Sequence, residues 1–114
     1  MKKLILLIAI ALTYSSITSA AGIASSFDIE YVRIDESGKG HVKFKSDLNY
    51  EPADCTASNY KDMLAFDTNE NGGAAIYSML LAAQAQGKKI HAVGTSSCKT
   101  YSQIENWGWS YIVN

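Results

Sequence analysis

The chain has 114 residues, ten basic and eleven acidic side chains, and a formal net charge of −1 at pH 7. That length suits one small domain. The charge balance lacks the basic face that nucleic acid or an anionic membrane surface requires, with Lys43, Lys45, Lys88 and Lys89 able to form only local patches.

The chain opens with Met1-Lys2-Lys3, an unbroken apolar run over 4–12, and the small residues Thr18-Ser19-Ala20. That order is the order of an export signal. Residues 1–20 are therefore expected to be removed, leaving one domain over 21–114 that begins at Ala21 or Gly22. The apolar run is shorter than the roughly 20 residues of a spanning helix, so no membrane span is expected to remain. Cleavage removes Lys2 and Lys3, so that ten basic side chains become eight against eleven acidic ones. The expected location is secreted or periplasmic.

Residues 21–26 are expected to be a small, disordered lead-in. Residues 27–34 alternate, with Phe27, Ile29 and Tyr31 on one face and Asp28 and Glu30 on the solvated other. A turn cluster holding Gly38 and Gly40 leads into 41–46, which alternates again, so the pair predicts a β-hairpin. Residues 47–62 hold Pro52, the chain's one proline, and read as a loop carrying Cys55. Residues 63–66 form a short apolar strand.

Residues 72–87 are the one firm helix. Ile76, Leu80, Ala83 and Gly87 lie along one stripe with Met79 beside it, while Tyr77, Leu81 and Ala85 fall elsewhere. No residue from Gly72 to Gly87 is charged. A helix apolar nearly all round is expected to be covered on more than one side, so Ile76, Tyr77, Met79, Leu80, Leu81 and Ala83 are candidates for a homo-oligomer contact. The alternative is an alanine-rich helix whose small outer residues tolerate water.

Strands are predicted at 90–93 and 107–113, with 101–105 left unassigned. In the last strand Trp107, Trp109 and Tyr111 stand two apart and are expected to point to one side. They could form a stacking platform for a sugar ring, a core layer or a subunit interface. Cys55 and Cys98 are expected to form a disulfide in an oxidising compartment.

Asp67, Asn69 and Asn71 before Gly72 match the opening of a calcium loop. Its closing glutamate position is occupied by Ser78, so a polar helix cap explains the same residues better. His41 and His91 have no ligating partner at helical spacing and read as outward-facing strand residues. Ser96 and Ser97 lack a nucleophile elbow. No catalytic constellation, no metal site and no cofactor is expected.

The resulting order, β-β-β-α-β-β with one helix and one disulfide, is that of a five-stranded OB-like barrel. An open α+β sheet with the helix on one face is the competing arrangement. Met63-Leu-Ala-Phe-Asp-Thr, Ala75-Ile-Tyr-Ser-Met-Leu-Leu-Ala-Ala with Gly87-Lys-Lys-Ile, and Gly94-Thr-Ser-Ser-Cys98 carry a resemblance to small exported bacterial OB-fold proteins. The type it resembles is the B subunit of AB5 toxins, pertussis-like or subtilase-cytotoxin-like. The resemblance implies a non-enzymatic pentamer whose helices line a pore and whose outer face binds cell-surface glycans. An exported accessory protein, such as an inhibitor or structural partner that binds no glycan, is the alternative.

Overall fold

The computed structural model describes residues 21–114, and the export signal expected over 1–20 lies outside them. Six strands form two antiparallel sheets: β1 (Ile23–Phe27), β2 (Ile29–Ile34), β3 (Lys39–Phe44), β4 (Met63–Asp67), β5 (Lys89–Gly94) and β6 (Trp107–Val113). One sheet has the order β1-β5-β6 and the other β2-β3-β4. The helix α1 (Gly73–Gln86) connects β4 to β5.

The order around the helix is the expected one, but five strands have become six and the barrel is not closed. The sixth strand is β1, which replaces the disordered lead-in. Its Ala24 is fully buried, and Ile23 exchanges backbone hydrogen bonds with Asn49 at 3.0 and 2.7 Å. Only Asp28 separates β1 from β2, so the two sheets share one continuous chain at that edge. At the other edge, β4 meets the segment just before β6 through an isolated parallel bridge, Ala65 to Asn106, with the Ala65 N–H donating to the Glu105 carbonyl at 2.8 Å. The side chains just before β6 are engaged elsewhere: the Asn106 amide oxygen accepts from Lys99 and Thr100, and Glu105 turns inward.

The main core lies between the sheets and the helix. Val42, Phe44, Leu64 and Phe66 of one sheet meet Ala24, Ile90, Ala92 and Trp107 of the other, with Leu80 and Ala83 of α1 above them. Ile76, Tyr77 and Met79 pack on this core, and the Tyr77 ring stacks on Phe66 with centroids 5.9 Å apart. Five of the six helix residues proposed for a subunit contact are therefore engaged within their own chain. Leu81 alone of the set is exposed, at 41%.

A smaller cluster covers the opposite face of β2-β3-β4, where Met63, Ala65 and Ile104 are packed by Tyr60 and Tyr101. Covered on both faces, β4 shows no alternation and buries Met63, Leu64, Ala65 and Phe66 in succession. This follows the rule that strands buried on two sides read as continuous apolar runs.

The helix is bracketed by Gly72 and Gly87, both in the left-handed backbone region that glycine occupies without steric cost. At the far end the Lys88 N–H reaches the Ala83 carbonyl at 2.9 Å and closes a Schellman-type turn. At the near end no side chain caps the helix, contrary to the expected cap. The Asp67 carboxylate instead accepts from the Asn69 backbone N–H at 2.9 Å, and the Asn69 amide donates to the Ser37 carbonyl at 2.8 Å. The polar approach thus ties the helix entrance to the β2–β3 turn.

The Cys55–Cys98 disulfide is formed, with Cα atoms 6.1 Å apart. It fastens the long loop to the segment before β6, beside the Ala57 N–H that donates to Gln103 at 3.0 Å. The bridge is consistent with an oxidising, exported compartment. No helix among the described residues is long and apolar enough to cross a membrane.

Candidate functional site

Two surface features gather chemistry-bearing side chains. The first is an aromatic row on the outer face of β1-β5-β6. Val93 pairs with Trp109 while Gly94 pairs with Trp107, so β6 carries one residue more than its partner at Gly108. Such a bulge reverses the face on which the next side chain emerges. Trp107 therefore points into the core, 6% exposed, with its ring 6.4 Å from Phe44 and its indole N–H on the Ser110 hydroxyl at 3.0 Å. Trp109 and Tyr111 point outward, 57% and 50% exposed. The expectation that all three rings share one side is corrected: Trp107 leaves the platform.

His91 takes its place. It stands opposite Tyr111 in the register, stacks on that ring at 4.8 Å and 14°, and lies 5.6 Å from Trp109. Trp109 and Tyr111 are themselves tilted by only 23°. Ser110, between them in sequence, faces inward, with its hydroxyl 3.6 Å from the Met79 sulfur of α1. The row consequently lies on the sheet face turned away from the helix. It offers a solvent-facing row of rings stacked against one another, with Trp109 and Tyr111 about half exposed.

The second feature is a cleft of about 290 Å³ on the outer side of β2-β3-β4, lined by Tyr31, Arg33, His41, Tyr60, Met63, Tyr101 and residues 102–104. It too arises from a bulge. Ile29 pairs with Phe44 and Tyr31 with Lys43, so β2 gains a residue at Glu30. Ile29 and Val32 then face the core, while Tyr31 swings to the opposite side against His41, centroids 5.8 Å apart. The expected single face of Phe27, Ile29 and Tyr31 is broken there.

His41, expected to be an outward-facing residue, is 5% exposed. It is held edge-on between Tyr31 and Tyr101, and its Nδ1 has no hydrogen-bond partner. Burial lowers its pKa, Arg33 lowers it further, and Asp35 opposes the shift. The Tyr101 hydroxyl donates to Asp35, which also accepts from the Arg33 guanidinium at 2.8 Å. Burial, then the bond to Asp35, pushes the Tyr101 pKa up to about 12. The Asp35 carboxyl is held below the usual range, first by Tyr101 and then by Arg33. Tyr101 is thus held protonated at neutral pH, and the cleft offers rings and an exposed guanidinium rather than an activated nucleophile.

A pH effect follows. The unfolded chain takes up a proton on His41 near pH 6.5 and the folded chain does so only at lower pH, so stability is complete above that value and falls as the pH drops below it. Urea denaturation at about pH 7 and about pH 5 should show this loss, and His41→Phe should flatten it. The Asp35 contribution is lost only at lower pH, as its carboxyl protonates, which separates the two groups. An unchanged slope in the variant overturns the assignment to His41.

Asp67 and Asn69 are spent on hydrogen bonds within the helix approach. The Asp67 and Asn69 side chains bond to one another, Asn71 is exposed, and no group of three His, Cys, Asp or Glu that could hold a metal ion occurs among the described residues. Sequence reasoning placed His91 on an outward strand face without joining it to the row, misplaced His41 as outward, and missed Glu105, although Gly108 inside an aromatic strand was a signal of the bulge.

Fold and site together define a small, disulfide-fastened protein of two antiparallel sheets and one helix, with an open aromatic row on its outer face. Compared with known proteins, the chain matches no family model, no curated protein sequence and no solved structure.

Proposed function

We propose that this is an exported, non-enzymatic binding protein that holds a glycan against the Trp109–His91–Tyr111 row. The observation that carries the reading is the outward row of three mutually packed rings, of which Trp109 and Tyr111 are exposed to solvent. Sugar rings present C–H faces that stack on such surfaces, and their hydroxyls can bond with the Tyr111 hydroxyl and the His91 imidazole. The strand order around the helix suits an OB-type arrangement, with the sheets open rather than closed into a barrel, and the B-subunit kind rests on the sequence resemblance alone.

Self-association is part of the same proposal. The outer helix face is uncharged, and Leu81 is its exposed large apolar side chain. Because the row faces away from α1, copies joined through their helices would present several rows at once, which multiplies a weak individual affinity. A pentamer is the arrangement that the B-subunit resemblance implies. Light scattering should show an oligomer that Leu81→Glu dissociates, and a clean monomer at high concentration overturns this part.

The two tryptophans make the glycan test specific. Trp109→Ala should leave the fold intact and weaken glycan binding about tenfold or more, as the loss of an aromatic anchor does. Trp107→Ala should instead cost about 3–5 kcal/mol of stability, because it empties a core position. Glycan-array screening of the exported protein, followed by fluorescence titration with the sugar, reads the first, and urea denaturation reads the second. Capture of one protein partner with no sugar bound would favour the accessory-protein alternative.

A further inference from the structure

Glu105 is completely buried, and the chain surrounds it with hydrogen-bond donors. One carboxylate oxygen accepts from the Ala53 N–H at 2.6 Å and the other from Ser96 at 3.5 Å. The Gly22 nitrogen lies 3.2 Å from the first oxygen and 3.1 Å from the second. Every one of these contacts is a nitrogen donor, which suits a group that accepts and has no proton to give. None of the ion pairs among the described residues includes Glu105. A buried carboxylate without a counter-charge is costly, and neutral N–H groups offset that cost only in part.

The position of Gly22 points to the missing charge. Its nitrogen sits almost symmetrically between the two oxygens, yet as a peptide amide it has one hydrogen to share. A Cβ at this position would meet the Leu48 side chain at 2.7 Å, so the close approach requires glycine. The Gly22 carbonyl is fixed by the Gly94 N–H at 2.9 Å, which anchors Gly22 in the β1 layer. The preceding Ser19-Ala20-Ala21 has the small residues that an export peptidase accepts.

We propose that the chain is cut between Ala21 and Gly22, and that the α-ammonium so formed is the counter-ion of Glu105. Hydrolysis consumes one water: the Ala21 carbonyl leaves as a carboxylate, and Gly22 keeps an amine that takes up a proton. That amine is mostly protonated at neutral pH, and an adjacent carboxylate favours its charged form further. The ammonium has three hydrogens where the amide had one, enough to serve both oxygens. The uncut precursor lacks this ion pair, so its fold is the weaker one until export is complete. A cut before Ala21 would leave the ammonium one residue away from the carboxylate.

The inference rests on the reading of residues 1–20 as an export signal, and the experiment separates the two. The full chain is produced with export in a bacterial host, and the intact mass of the exported protein is measured. Its α-amine is then titrated with cyanate, folded and in guanidinium. A mass starting at Gly22 is expected, with the folded amine reacting about tenfold or more slowly than the unfolded one, equivalent to a pKa unit or more of protection. Glu105→Gln should restore much of the reactivity; where that variant does not fold, the wild-type mass and rate decide alone. A start at Ala21, or a Gly22 amine that reacts equally fast in both states, overturns the ion pair and leaves the export signal standing. A chain that retains residues 1–20 overturns both.

Discussion

Replacing Cys55 and Cys98 by serine, or reducing their bridge, is expected to lower the unfolding free energy by about 4 kcal/mol. The bridge spans 43 positions, and freeing that loop returns conformational entropy to the unfolded chain. Stability for a chain of this size lies in the range of about 5–15 kcal/mol, so the loss is a large fraction of the whole. It corresponds to a fall of roughly 16–32 °C in Tm. The native fold itself has little reason to collapse. Leu48 still donates to the Lys61 carbonyl at 2.8 Å, and Ala57 to Gln103 at 3.0 Å, so the loop keeps its backbone anchors. Chemical denaturation with and without reductant checks this, read as a shift in midpoint. A loss below about 1 kcal/mol would mean that residual structure already closes this loop in the unfolded ensemble.

The parts legible in the sequence were those encoded by local periodicity and by residues with one dominant use. The helix was legible because its apolar stripe ran between two glycines, and both proved to be its left-handed boundaries. The β2–β3 hairpin was legible from two alternating runs around a glycine turn, and the disulfide from an even cysteine count. Alternation failed wherever one strand carried an extra residue. A single insertion near Glu30 turned Tyr31 outward, and another at Gly108 sent Trp107 inward. One residue in three of each predicted face was therefore misplaced, although the strand at 107–113 stands as predicted and that at 27–34 is broken only at Asp28.

Burial from a second layer was equally hidden. His41 lies under Tyr101 because residues 101–104 fold back over the sheet, and nothing local to His41 announces that. Strand β1 was missed because Ser25 and Ser26 interrupt any apolar alternation, so Ala24 carries its burial alone. Glu105 lay in a stretch with no periodicity at all. Its role depends on Gly22, Ala53 and Ser96, which are up to 83 positions away and brought together only by the completed fold.

Gly94→Ala is expected to be among the most damaging single substitutions in the chain, with a loss of about 4 kcal/mol from the sum of two effects. A Cβ at this position would lie 1.5 Å from one Glu105 carboxylate oxygen and 2.4 Å from its carboxyl carbon, so the side chain must move. It cannot move within a packed interior without overpacking, which costs about 1–3 kcal/mol. If it leaves, the N–H groups of Gly22, Ala53 and Ser96 lose their common acceptor, and each unsatisfied donor costs about 1–3 kcal/mol. The mechanism makes a second, sharper demand. Once Glu105 is already alanine, the methyl group at position 94 has nothing to displace, so Glu105→Ala with Gly94→Ala should cost little more than Glu105→Ala alone. The double-mutant cycle should then show a coupling close to the whole Gly94→Ala loss, about 4 kcal/mol, beyond the usual upper end for residues in contact. Additive losses would mean that Gly94 is required by its own backbone rather than by the carboxylate lying across it. The strand offers a control: Ala92, two positions earlier on β5, is buried in the same sheet. It carries a Cβ without strain, so what Gly94 accommodates is the buried acid and not the strand.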